Sequence, residues 1–279
     1  MQEVIRIRRV QRRLGTRKLY HMMSGFFSEH KIEIGRDRFF DLLREEHLLI
    51  RKRRRNRPRT TVSCWWRRYP NLVRGVVPSA SGEVWVSDIT YVRIGEGFGY
   101  LSLVTDAYSR KIMGHHLGRD LSAGGCCLAL KAALRDGGGP LIHHSDRGVQ
   151  YSSAEYRKLL GKRPRISMTE KGDPLENAIA ERVNGILKQE LLDERFSSFA
   201  EARKMIDEAV RIYNYLRPHL SIDMLTPSEA HRRTGELRRR WKSCYRSKAA
   251  AAGKENGTPG GTDVNLSQEQ TQGVNLCQE

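Results

Sequence analysis

Three short apolar runs, at 84–91, 100–105 and 111–117, follow one another with only turn residues between them (Gly95, Gly97 and Gly99, then Ser109-Arg110). A parallel crossover takes about a dozen residues, so two connections this short make the runs an antiparallel meander. Ser122 then caps a helix from about 123 to 135, which Gly137-Gly138-Gly139-Pro140 stops. A strand at 141–145, a helix at 153–160 and a strand at 165–169 come next. After the loop Glu170-Lys171-Gly172-Asp173-Pro174, a helix covers about 175–192. The order is βββαβαβα: an α/β chain with a mixed sheet and helices on its faces.

The flanks are different in kind. Residues 1–50 read as helical, with one helix near 13–23 capped by Thr16. A second covers 35–46, with Phe39, Phe40, Leu42 and Leu43 as its apolar stripe. Two helices joined by a polar turn suggest a helix-turn-helix-like DNA-binding segment; an ordinary helical hairpin has the same pattern. In the next nine residues, Arg51, Lys52, Arg53, Arg54, Arg55, Arg57 and Arg59 leave no apolar side chain to pack, so 51–79 reads as a basic, phosphate-binding arm and linker. The α/β core occupies 80–195. In the extension at 196–248, Ser198-Phe199-Ala200-Glu201 is a capping box that opens a helix. Phe199, Ala202, Met205, Ile206, Ala209, Val210 and Tyr213 form its stripe, and it stops before Arg217-Pro218. The last part of the extension is basic, with Trp241 and Tyr245 interleaved. Residues 249–279 are polar and repeat Val-Asn-Leu-x-Gln-Glu twice, too few copies for a solenoid, so they read as a disordered tail.

The formal charge is +18, from 50 Lys and Arg against 32 Asp and Glu. That excess favours a polyanionic partner over mere solubility. Five scattered cysteines form no CxxC pair, which argues for free thiols in a reducing compartment. No apolar run approaches the roughly 20 residues of a membrane span, and the first residues do not resemble a signal segment. An intracellular, soluble protein is expected.

Three acids stand in unusual settings. On the first strand Val86, Asp88 and Thr90 share one face, so Asp88 keeps apolar or small company. Such a carboxylate needs hydrogen bonds, a cation or a metal. Asp146 ends Leu141-Ile142-His143-His144-Ser145 and precedes a glycine turn, where a strand delivers a group into a site. Glu181 lies about two turns into its helix, with Lys188 seven residues on and so near the same face. Carboxylates suit Mg²⁺, whose octahedron is completed by water and substrate phosphate. Two such ions can activate an attacking oxygen and stabilise a leaving one. Structural ion pairs would explain the same three acids. Among the rivals, Asp106 suits turn hydrogen bonding, and Asp173 and Glu176 suit the helix start. His143 and His144 lack partners at zinc spacing. Arg147 and Lys188 are candidate phosphate contacts. Trp65-Trp66-Arg67-Arg68 would serve either base stacking or a hydrophobic anchor.

At these residues the chain resembles a known family. Trp85-Val86-Ser87-Asp88-Ile89-Thr90-Tyr91, His144-Ser145-Asp146-Arg147-Gly148-Val149-Gln150-Tyr151 and Asn177-Ala178-Ile179-Ala180-Glu181, with Leu187-Lys188, are similar to the catalytic signature of the IS-three family of insertion-sequence transposases (second-frame proteins). More broadly they resemble the retroviral-integrase-like DDE recombinases. Thr105-Asp106-Ala107-Tyr108-Ser109-Arg110, Tyr213-Asn214-Tyr215-Leu216-Arg217-Pro218-His219 and Thr226-Pro227 match further. Gly15-Thr16-Arg17-Lys18-Leu19 and the basic arm look like the family's leading segment. The resemblance runs over about 10–235.

It implies an RNase H-like integrase core holding two Mg²⁺ or Mn²⁺ ions through Asp88, Asp146 and Glu181. The core would nick at element ends and join the 3′-hydroxyl to target DNA. It further implies a homo-oligomer, a possible upstream-frame partner or fusion, no membrane, and a prokaryotic cytoplasmic protein that is nucleoid-associated when bound. A binder without catalysis, or an RNase H-fold nuclease, are the other readings. Two departures are visible. Asp146 and Glu181 are one residue closer than is usual, with the deletion falling at 161–165. Val183-Asn184 replace an aromatic pair.

Overall fold

The computed structural model describes residues 1–50, 69–136, 138–170 and 174–240. The basic run at 51–59, Trp65-Trp66-Arg67-Arg68, Asp173 and the chain from 241 onward lie outside the described residues, so the phosphate-binding arm and the disordered tail remain sequence expectations.

The meander forms as β1 (Val84–Ile94), β2 (Gly97–Asp106) and β3 (Ile112–Gly118), paired antiparallel. Strands β1 and β2 pair up to Ile94↔Gly97, leaving a two-residue turn whose first residue, Gly95, has φ +53°. A positive φ there matches the twist of the flanking strands, and glycine adopts it without steric cost. β4 (Ile142–Ser145) then lies parallel to β1, and β5 (Arg165–Met168) parallel to β4. The sheet order is β3-β2-β1-β4-β5.

Alternation along the strands divides the core into two layers. On one face Trp85 and Val104 pack with α5 (Ala123–Ala133) and α6 (Ala154–Leu160), through Cys126, Leu130, Tyr156 and Leu160. Helix α5 lies close against β3: a Cβ on Gly114 would stand 2.2 Å from the Ala129 carbonyl oxygen and 2.5 Å from the Ala133 nitrogen. On the other face Val92, Leu101, Leu103 and Leu117 pack with α7 (Ala178–Ile186) and α8 (Phe199–Tyr215). The α8 stripe read from the sequence supplies Ala202, Ile206, Ala209, Val210 and Tyr213 to that layer.

Several local readings are corrected. Helix α7 is shorter than 175–192. Pro174–Asn177 is a 3-10 turn, and Leu187–Leu191 widens into a π turn closed by Leu192 N–H on the Leu187 carbonyl at 2.8 Å. Glu181 therefore lies in the first turn of the α-helix proper. At α8 the Ser198 hydroxyl accepts from Glu201 N–H, but the Glu201 carboxylate reaches back to Ser197, one residue before the expected box partner. After the π turn the chain returns to the β1–β2 hairpin: Phe196 N–H donates to the Arg93 carbonyl (3.0 Å) and Gly95 N–H to the Phe196 carbonyl (2.8 Å).

The N-terminal residues form four short helices rather than two: α1 (Gln2–Val10), α2 (Thr16–Met22), α3 (Ser24–Glu29) and α4 (Arg36–Glu45). Gly15 is the cap of α2, and Thr16 is its first residue, buried rather than capping. Val4, Leu14, Leu19, Met23, Phe39 and Leu43 make a separate small core. A single-turn helix, α9 (Pro227–Ala230), is closed by a capping box between Thr226 and Glu229. Among the described residues no helix is long and apolar enough to cross a membrane.

Candidate active site

The parallel pairing of β1 with β4 ends at Ser87↔Ser145. Asp88 and Asp146 are each the next residue, so the register brings them to neighbouring positions on adjacent strands, across a strand spacing of about 4.8 Å. Asp88 lies on the face of β1 that α7 covers. Helix α7 is fixed to β1 by two asparagines that the sequence reading did not single out as site residues. Asn177 Nδ2 donates to the Ser87 carbonyl (3.1 Å), and Asn184 Nδ2 donates to Asp88 Oδ2 (2.7 Å). Asn177, Glu181, Asn184 and Lys188 follow at spacings of four, three and four, which puts all four on one helical face. That spacing, with two asparagines among apolar neighbours, was the available signal.

Of the three acids, Asp88 feels both of the others. Burial first, then the neighbouring Asp146 charge, pushes the Asp88 carboxyl up from 3.8 to about 7. The Ile89 backbone N–H and Asn184 oppose this, and Glu181 adds to it. Burial also raises the Asp146 carboxyl, opposed by the Gly148 N–H that donates to its Oδ1 at 2.9 Å. In this Asx turn a Cβ on Gly148 would lie 2.9 Å from both Asp146 Oδ1 and Gln150 Oε1, so those side-chain ends would have to move. Lys188 Nζ donates to Thr90 Oγ1 (3.3 Å), on the Asp88 face of β1. Its residue is exposed overall, yet the protein around its ammonium lowers the pKa while attraction to Asp88 opposes that.

Buried like charges of this kind suit a hard divalent cation, which would favour the ionised form of each carboxylate. The donor set fits. It is not drawn closed, however: among the described residues no group of three His, Cys, Asp or Glu side chains is arranged to hold a metal ion. Asp88 feels the charge of both Asp146 and Glu181, and Glu181 is exposed.

The other candidates have structural partners. Asp106 is fully buried and accepts from Gly82 N–H, Ser109 N–H and the Ser109 hydroxyl. His143 Nε2 lies 2.9 Å from both the Ser87 and Tyr156 hydroxyls, and burial pushes its pKa down to about 3. His144 is held by the Ser167 hydroxyl and the Glu176 carbonyl. Glu176 accepts from Glu170 N–H. Arg147 Nε donates to the Thr169 carbonyl at 2.8 Å. In the 213–219 motif, Asn214 brackets Ile112 at the start of β3, accepting from its N–H and donating to its carbonyl, both at 2.9 Å.

A five-stranded sheet in this order, with acids at the neighbouring ends of β1 and β4 and on the covering helix, defines an RNase H-like, integrase-type core. Integrase core domain models match residues 78–174 and 162–227. The Insertion element IS600 uncharacterized 31 kDa protein of Shigella sonnei is 34% identical over 79% of this chain and 82% of its own length. The transposase for insertion sequence element IS904 of Lactococcus lactis is 34% identical over 57% of this chain and 66% of its own. A solved structure, the HTLV-2 integrase catalytic core domain in complex with magnesium, is 17% identical with a TM-score of 0.43, over 55% of this chain and 97% of that one. The chain belongs to the IS-three family of insertion-sequence transposases.

Proposed function

We propose that the protein cleaves DNA at insertion-sequence ends and joins the freed 3′-hydroxyl to target DNA, with two Mg²⁺ or Mn²⁺ ions held by Asp88, Asp146 and Glu181. The observation that carries the reading is the register: Asp88 and Asp146 each follow the last paired residue of adjacent parallel strands, and Glu181 acts on the same Asp88 carboxyl. The ions would supply Lewis-acid activation of the attacking oxygen and charge stabilisation of the leaving one. Asp88 and Asp146 would hold one ion together, and Glu181 would help hold the second. Asn184 would orient Asp88, to which it donates, and Lys188, which donates to Thr90 on the same strand, would take a non-bridging phosphate oxygen beside the scissile bond. The DNA partners are the element ends and the target. Arg147, Lys188 and the basic residues of 51–59 are the proposed contacts, and synapsis of two ends would need a homo-oligomer, with or without an upstream-frame protein.

The test is incubation of the protein with labelled element-end DNA and Mg²⁺. Joined product supports the proposal. Cutting without joining identifies a nuclease, and salt-sensitive retention alone identifies a binder; either overturns it. Asp146→Asn is expected to abolish joining and spare retention.

A further inference from the structure

Glu190 lies in the π turn that continues the Glu181 helix, nine residues beyond Glu181 and two beyond Lys188. Its carboxylate takes cations from two distant parts of the chain. Arg217 Nη2 lies 2.8 Å from each oxygen and Nε lies 3.0 Å from Oε2, a bidentate arrangement. Lys18 Nζ, from α2, approaches Oε1 at 3.4 Å. Arg217 is 2% exposed, and its Nη1 lies 3.0 Å from His219 Nε2. Burial holds His219 far below its ordinary pKa, so its ring is neutral and accepts from the guanidinium.

The same junction carries two more polar contacts from the N-terminal helices: Gln11 Nε2 donates to the Leu216 carbonyl (3.1 Å), and Arg12 stands 3.8 Å from Asp193. Among the described residues, the buried apolar cluster of those helices draws only on their own segment. Side-chain polarity, centred on Glu190, therefore does much of the joining. Ion pairs of this kind give direction and register and can be released, whereas a shared apolar core cannot be released without exposing it.

We propose that Lys18 and Glu190 form a polar latch through which the N-terminal helices hold the helix bearing Glu181 and Lys188, making both of them positioning residues for the strand-transfer site. The inference rests on the function proposed above, but its mechanical part does not need it. Arg217 anchors the carboxylate, and Lys18 closes on the anchored group. Lys18 is the releasable partner: burial and the nearby Arg217 lower its pKa to about 8, so its charge is less firmly held than that of an exposed lysine. A displacement of α2 by bound DNA would reach Glu181 along little more than two helical turns.

The test is hydrogen–deuterium exchange on the full chain. Lys18→Met keeps the aliphatic stem and leaves Glu190 paired with Arg217. Amides of 178–191 are expected to exchange about tenfold faster in this variant, the scale of one lost ion pair of about 1.4 kcal/mol. Lys18→Arg is expected to restore protection. Gln11→Ala, which breaks a contact at Leu216 instead, is expected to leave 178–191 unchanged. Strand joining should fall in Lys18→Met at saturating DNA, with little change in KM. Unchanged exchange at 178–191 in Lys18→Met, no rescue by arginine, or an equal effect of Gln11→Ala would overturn the latch. A chain that joins no DNA, but shows the expected exchange pattern, would overturn the proposed function and leave the mechanical link standing.

Discussion

Asp88→Asn should stabilise the metal-free protein, and only on the alkaline side. The folded chain holds this carboxyl near 7, against 3.8 when unperturbed. Between about pH 4 and 7 the folded state therefore keeps a proton that the unfolded state has lost. Stability contributed at this site falls as pH rises through that window and levels off above it. The full difference corresponds to about 4 kcal/mol at pH 8. Relaxation around Asp146, and partial solvent access, reduce the expected gain to about 2–4 kcal/mol. Asparagine keeps an oxygen for the Asn184 amide and loses the repulsion from Asp146 and Glu181, at the expense of the attraction to Lys188. Urea denaturation followed by circular dichroism in EDTA, at pH 5, 6, 7 and 8, measures the effect. The variant and parent should converge toward pH 4–5 and separate toward pH 8. Added Mg²⁺ should stabilise the parent more at pH 8 than at pH 6, and the variant little. A variant no more stable than the parent at pH 8, or a gap that widens toward acid, would refute the account of a charge-crowded carboxylate.

Two substitutions probe close approaches. Gly114→Ala would force α5 away from β3, because the new methyl meets helix backbone and not a flexible side chain; a loss of about 3 kcal/mol is expected, read as a lower urea midpoint. Gly148→Ala should leave the unfolding free energy from urea denaturation within about 1.5 kcal/mol of the parent but displace the Asp146 carboxylate, lowering the joining rate by about 10–100-fold; unaltered joining would show that this oxygen's position is not critical.

The sheet was readable because short connections leave a meander no other choice and alternation marks the faces; the strands extend at most three residues beyond the runs in the sequence. Asp88 and Asp146 were readable for the same reason, as charged residues at strand positions that otherwise bury. What escaped depends on contacts across the chain. Thr16 looks like a cap, but tertiary packing buries it as the first residue of α2. Helix α1 begins without a side-chain cap, so nothing local announces it. In the sequence Asn184 stands out only as a departure from an aromatic pair; its bond to Asp88 spans 96 residues. The Lys18–Glu190 contact spans 172 residues, and no local pattern in α2 distinguishes Lys18 from a solvent-facing lysine.

The segment from Asn177 to Phe196 is pinned to β1 at both ends, by Asn177 on the Ser87 carbonyl and by Phe196 on the Arg93 carbonyl. It spans the strand like a beam resting on two supports, and the strand beneath it carries Asp88. Glu181 is thereby tied to the strand that carries Asp88, while Asp146 is tied to that strand through the β1–β4 ladder. Sliding of β1 along β4 would change the gap between the carboxylates, so that seam bears on how closely they can gather.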